Sequence, residues 1–185
     1  MRRFSIFLMA AGLMILVGCG KGDSGKNNPR LQQALERLTA ATTPQERFSV
    51  LGEAAKQSLA AGKATEAGNY AQELLDLLPG LRTQSGAGDA AMDAHQVLGR
   101  IALRAGQVDD AKQHLLESIK IPGPRMMDYG PSMSLVKDLL EKGERQAVLD
   151  YFSACEKFWD RNRLNEWTQE VQQGKVPDFP PNLLN

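Results

Sequence analysis

Two histidines and two cysteines hold most of the reactive chemistry in this 185-residue chain. His95 and His114 stand nineteen residues apart, on different predicted helices. Neither has a carboxylate or second histidine at metal-ligand spacing, so no metal site is expected. His114 lies close to Glu117, which reads as a helix-surface pair rather than a catalytic dyad. Two cysteines, Cys19 and Cys155, are too few for a disulfide framework. Neither a P-loop nor a GxSxG, HExxH, CxxC or dinucleotide fingerprint occurs. Catalysis therefore has no visible equipment and no cofactor is implied. Twenty-two basic residues balance twenty-two acidic ones, which argues against a nucleic-acid binder.

Cys19 sits in an informative place. Arg2 and Arg3 precede an apolar run from Ile6 to Val17, which is too short for a lasting membrane span and reads as a secretion signal. The ending Leu16-Val17-Gly18-Cys19 resembles a bacterial lipobox, in which the cysteine sulfur takes a diacylglyceryl group and becomes the mature N-terminus. That resemblance implies a signal peptide over 1–18, lipidation at Cys19, and a lipidated flexible tether over 19–28. Cleavage would leave twenty basic against twenty-two acidic residues, a net charge of −2. Gly20, rather than an aspartate, after the cysteine implies an outer-membrane, periplasm-facing location by resemblance to lipoprotein sorting rules.

From Pro29 the chain predicts helix after helix, rich in Ala and Leu and poor in Val and Ile. Leu31, Ala34, Leu35 and Leu38 mark a first helix over 31–41. Thr43, Pro44 and Glu46 predict a capping box that opens a second. The phrase Leu59-Ala60-Ala61-Gly62 returns as Leu103-Arg104-Ala105-Gly106. Aligning Gly62, Gly106 and Gly143 registers three helical hairpins, over about 44–79, 89–122 and 132–160. Seven residues before these glycines stand Ala55, Gly99 and Val136; five after stand Ala67, Ala111 and Val148; nine after stand Ala71, Leu115 and Phe152. Small residues at such places let paired helices approach closely. Intervals of 44 and 37 residues between the glycines show a period loosened by inserts.

Leu98-Gly99, Ala102, Gly106, Ala111, Leu115 and Pro122 resemble the tetratricopeptide repeat signature, most closely in the second hairpin. The first hairpin has Ala54-Ala55 in place of Leu-Gly, and the third lacks a closing proline. The resemblance implies an all-α array of about three antiparallel hairpins, with flanking capping helices at 31–41 and 160–174, in a repeat domain over 29–174. One hairpin cannot bury its apolar face alone, so stacking requires the repetition.

A basic stripe suggests a site. Six residues before the three glycines stand Lys56, Arg100 and Lys137, on the same helical face as Leu59, Leu103 and Leu140 three residues further on. Arg104 extends the charge and Glu141 interrupts it. In the resembled family this face lines the concave groove, which implies a protein partner offering an acidic or C-terminal peptide segment with apolar anchors. An envelope enzyme acting on wall polymers, or a purely structural lipoprotein, stays open.

Cys155 aligns with Leu74 and Ser118, twelve residues after each glycine, where burial is expected. Trp159 and Trp167 should pack at the last junction. Prolines at 122, 124 and 131 forbid a continuous helix through the insert over 121–132, whose Met126, Met127 and Tyr129 either pack over the array, the favoured reading, or form an exposed contact patch. The tail over 175–185 should be non-helical and anchored by Phe179.

Overall fold

A computed structural model describes residues 28–184; the expected signal peptide, Cys19 and nearly all of the tether lie outside the described residues. The described chain is all-helical. Nine α-helices follow in order: α1 (Pro29–Ala40), α2 (Pro44–Ala60), α3 (Ala64–Leu81), α4 (Ala87–Arg104), α5 (Val108–Glu117), α6 (Pro124–Tyr129), α7 (Ser134–Glu141), α8 (Arg145–Cys155) and α9 (Arg161–Gln172), then a short 3-10 turn (Pro181–Leu183). Among the described residues, no helix is long and apolar enough to cross a membrane.

Local chemistry sets the boundaries. The Asn28 side chain accepts from the amides of Arg30 and Leu31, and Pro29 at the first helical position gives up no needed donor. The Thr43 hydroxyl accepts from the Glu46 amide while the Glu46 carboxylate accepts from Thr43, completing the capping box on α2. Asp160 opens α9 in the same manner as Asn28. Gly62, Gly106 and Gly143 turn the chain at φ of 77°, 81° and 87°, a region other residues enter at a cost. Pro79 does not end α3, which runs two residues further. So near the C-terminus the missing N–H removes one bond from the last turn rather than breaking a ladder. α5 stops at Glu117, before the expected Pro122, and the buried Ser118 hydroxyl donates to the Leu115 carbonyl as the chain leaves the helix.

Helix α2 packs on α3, α4 on α5, and α7 on α8, while contacts of α2 and α3 with α4, and of α4 and α5 with α7, join successive pairs. α1 packs on α2 and α9 on α8. Every position aligned on the three glycines at seven before, and five, nine and twelve after, is buried. α7 and α5 have only 8 and 10 residues, too short to persist alone. Fully buried side chains such as Leu115, Leu135 and Leu139 stabilise them, each contributing about 1.5–3 kcal/mol. Two apolar clusters result, one spanning α1 to α4 and the other α4 to the tail.

The insert divides its residues between two roles. Met126 is fully buried, whereas Met127 and Tyr129 are exposed, the latter at 69%, so only part of the segment packs as expected. It also forms α6, whose N-terminus is held by Asp89 of α4: the carboxylate accepts from the amides of Arg125 and Met126 at 3.0 and 3.1 Å. The approach is close enough that a Cβ on Gly88 would lie 2.2 Å from the Ile121 carbonyl oxygen. At the other end, Trp159 and Trp167 stack with centroids 5.7 Å apart, and Phe179 meets Trp167 edge-on at 5.0 Å. Cys155 is buried, as its alignment implied.

Candidate functional site

Helices α2 and α4 and the end of the tail enclose a trough of about 350 Å³, lined by Arg30, Glu53, Lys56, Gln96, Arg100 and Leu184. A smaller hollow of about 180 Å³ continues from it, sharing Lys56 and Gln96 and adding Asp93, Arg125, Tyr129 and Leu183. The structure thus brings Lys56, Leu59 and Arg100 to one cavity wall, and leaves Leu103, Arg104, Lys137 and Leu140 out of it.

Two parts of the stripe differ from the expectation. Leu59, Leu103 and Leu140 are only 3%, 5% and 5% exposed and belong to the core clusters, so they do not form a surface row of apolar anchors. Three residues along a helix turn the side chain partly away from the cations, and here that turn aims it between helices. The cations are also engaged. Lys56 of α2 meets Asp93 of α4 at 3.3 Å, and Arg100 of α4 meets Asp138 of α7 at 2.7 Å. Each links its own helix to the leading helix of the next pair. Lys137 and Arg104 are exposed and make no ion pair among the described residues.

Helix α4 supplies the polar floor. Asp89, Asp93, Gln96 and Arg100 recur at helical spacing along it. Asp93 accepts from Arg125 at 2.6 Å as well as pairing with Lys56, so one partly buried carboxylate holds two cations from two elements. Gln96 is buried; its carbonyl accepts from the Leu135 amide at 3.0 Å, satisfying one of the unpaired donors at the start of α7. A buried amide needs such partners, because an unpaired one costs about 1–3 kcal/mol. The spacing of Asp89, Asp93 and Gln96 was a signal in the sequence, but its partners, Arg125 and Leu135, come from elements more than thirty residues away.

The histidines are brought together. The Nδ1 atoms of His95 and His114 lie 3.0 Å apart across the α4–α5 pair, so one ring donates and the other accepts. The partner of His114 is therefore His95, rather than Glu117 on its own helix face. Burial first, then the neighbouring ring, depresses His95 to a pKa of about 4, and burial lowers that of His114. Both imidazoles are neutral near pH 7. Among the described residues no cluster of three or more His, Cys, Asp or Glu side chains could hold a metal ion. Burial also pushes the Cys155 thiol far up, away from thiolate chemistry.

A larger hollow of about 620 Å³ lies over α1, between Leu31, Glu36 and Lys63, but no buried polar side chain converges on it. The α2–α4 trough has the better chemical definition. Compared with family models, curated proteins and solved structures, the chain matches none.

Proposed function

We propose that this chain is a lipid-anchored, periplasm-facing adaptor of the bacterial envelope, built as a tetratricopeptide-like array that binds a protein partner along its inner trough. The single observation that carries the reading is the trough itself. It lies beside the leading helices of successive pairs, is open to solvent, and is lined mainly by charged and amide side chains, with the more apolar hollow at Met92 and Leu183 adjoining it. Its acids are matched to cations, as with Asp93 between Lys56 and Arg125. Matched charges orient and select a bound segment more readily than they move protons. The periodic burial of aligned positions supports the repeat reading, and the Leu16-Val17-Gly18-Cys19 ending supports the anchor. Acyl chains contribute about 0.8 kcal/mol per buried CH2, so several hold a protein firmly at a membrane.

Two measurements test this. A photocrosslinking residue at position 56 or 100, in the full chain expressed in a diderm bacterium, should give a discrete protein adduct. The same residue at exposed position 113 on α5 should not. Equal adducts from both faces, or none from the trough, refute the reading. Cys19→Ser should move the chain out of the membrane fraction; unchanged fractionation refutes the anchor.

A further inference from the structure

The small hollow beside the trough has a polar floor and apolar walls. Gln96 is buried, and the side chains of Asp93 and Lys56 are only 15% and 16% exposed. The Arg125 side chain is 42% exposed, and Tyr129, at 69%, stands at the mouth. Met92 and Leu183, both buried, close the sides. Leu183 is a fixed wall, with its carbonyl accepting from the Met133 amide at 2.7 Å. Size limits what can enter. An apolar cavity of about 150 Å³ takes a benzene ring. About 180 Å³ therefore takes one six-membered ring with a single substituent.

The floor selects the substituent. Asp93 holds one cation on each oxygen, Lys56 at 3.3 Å and Arg125 at 2.6 Å, and each oxygen can accept again. Among the described residues the Arg125 guanidinium bonds through Nη2, to Asp93 and to the Asp89 carbonyl, which leaves donors on the rest of its fork. The Gln96 amide nitrogen reaches the Ser132 carbonyl at 3.4 Å, a long bond that leaves the donor underused. An incoming carboxylate would face Asp93, and an incoming ammonium would face Lys56 and Arg125. A bare hydrocarbon would strip water from these groups and replace none of its hydrogen bonds. A hydroxyl is neutral, donates once and accepts twice, and so answers both signs. We infer that the hollow seats one tyrosine side chain of the partner segment, its ring between Met92, Leu183 and Tyr129 and its phenol against Asp93 and Arg125. This rests on the adaptor reading and names the residue that anchors the partner. The Met92 sulfur and the Tyr129 ring both favour an aromatic neighbour. A sugar would press hydroxyls against Met92 and Leu183, so a glycan fits worse.

One anchor alone binds weakly, so the test reads a ratio of affinities. Carbon-13 methionine methyls in the full chain, expressed in a diderm bacterium, put a reporter in the wall at Met92 and a control at exposed Met127, outside the hollow. N-acetyltyrosinamide should shift the Met92 signal and bind about tenfold more tightly than N-acetylphenylalaninamide, the factor that one hydrogen bond to a charged group supplies. Tyr129→Ala should weaken that binding about threefold and Tyr129→Phe should restore it. Tyr129 is too exposed for either change to threaten the fold. Equal affinity for the two amides, equal shifts at Met127, or no shift at Met92 up to the solubility of the probe overturns the inference. Tighter binding of N-acetylglucosamine also overturns it, and favours a wall-polymer ligand. Adducts from positions 56 and 100 alongside failure here would remove this inference and leave the adaptor reading intact. Tyrosine selectivity without those adducts would keep the phenol seat and remove the adaptor reading.

Discussion

Acid should weaken this fold through His95, and the size of the effect follows from its surroundings. In the folded chain His95 is neutral, hydrogen-bonded to His114, with its pKa lowered from 6.5 to about 4 by burial and by the second ring. Nearby Glu117 opposes the shift and Lys120 adds to it, while Asp110 and Glu117 bear on His114. The unfolded chain takes its proton first as pH falls through 6.5. Stability is therefore full above that value, declines between 6.5 and about 4, and loses nothing more from this group below. For a fully screened-off ring, the loss between pH 7.5 and 5.0 would be about 2 kcal/mol; His95 is partly open to solvent, which reduces it to about 1 kcal/mol. His95→Gln retains a hydrogen-bonding partner for His114 but cannot titrate. Urea unfolding of a chain freed of its first nineteen residues, at both pH values, should show the wild type losing about 1 kcal/mol more than the variant, and thermal unfolding a difference of about 2–4 °C in midpoint. Parallel losses in the two proteins would refute the reasoning.

Two further outcomes follow from packing. Gly99→Ala would place a Cβ 2.4 Å from the Leu135 side chain and 3.1 Å from that of His114, so thermal unfolding should show a cost of about 1–3 kcal/mol; an unchanged midpoint would mean that α4, α5 and α7 do not meet there. In a Cys19→Ser chain, the buried Cys155 should resist a thiol reagent until urea unfolds the protein, and prompt labelling of the native state would contradict its burial.

Much of the fold was legible because it is written locally. The Thr43–Glu46 box, the left-handed glycines and the aligned small residues each act within one helix or one turn, where spacing alone predicts geometry. Cys155, the tryptophan pair and Phe179 were legible as apolar residues at expected junctions. The site was less legible. Lys56 and Arg100 were found, but a sequence does not show that the leucines beside them turn inward, or that Asp93 and Asp138 meet their charges. Nor could it show Leu184 returning to the trough. The histidine pair left a usable sign: His95 is eleven residues before Gly106 and His114 eight after, so folding about that glycine sets them side by side.

Helix α4 gives Ala87, Ala94 and Val97 to one apolar cluster and Met92, Ala102 and Leu103 to the other. It is the keystone of an arch: the spans on either side lean on it, and neither can be removed while the other stands unaltered. A change in curvature at one end must pass through this rod to reach the opposite end.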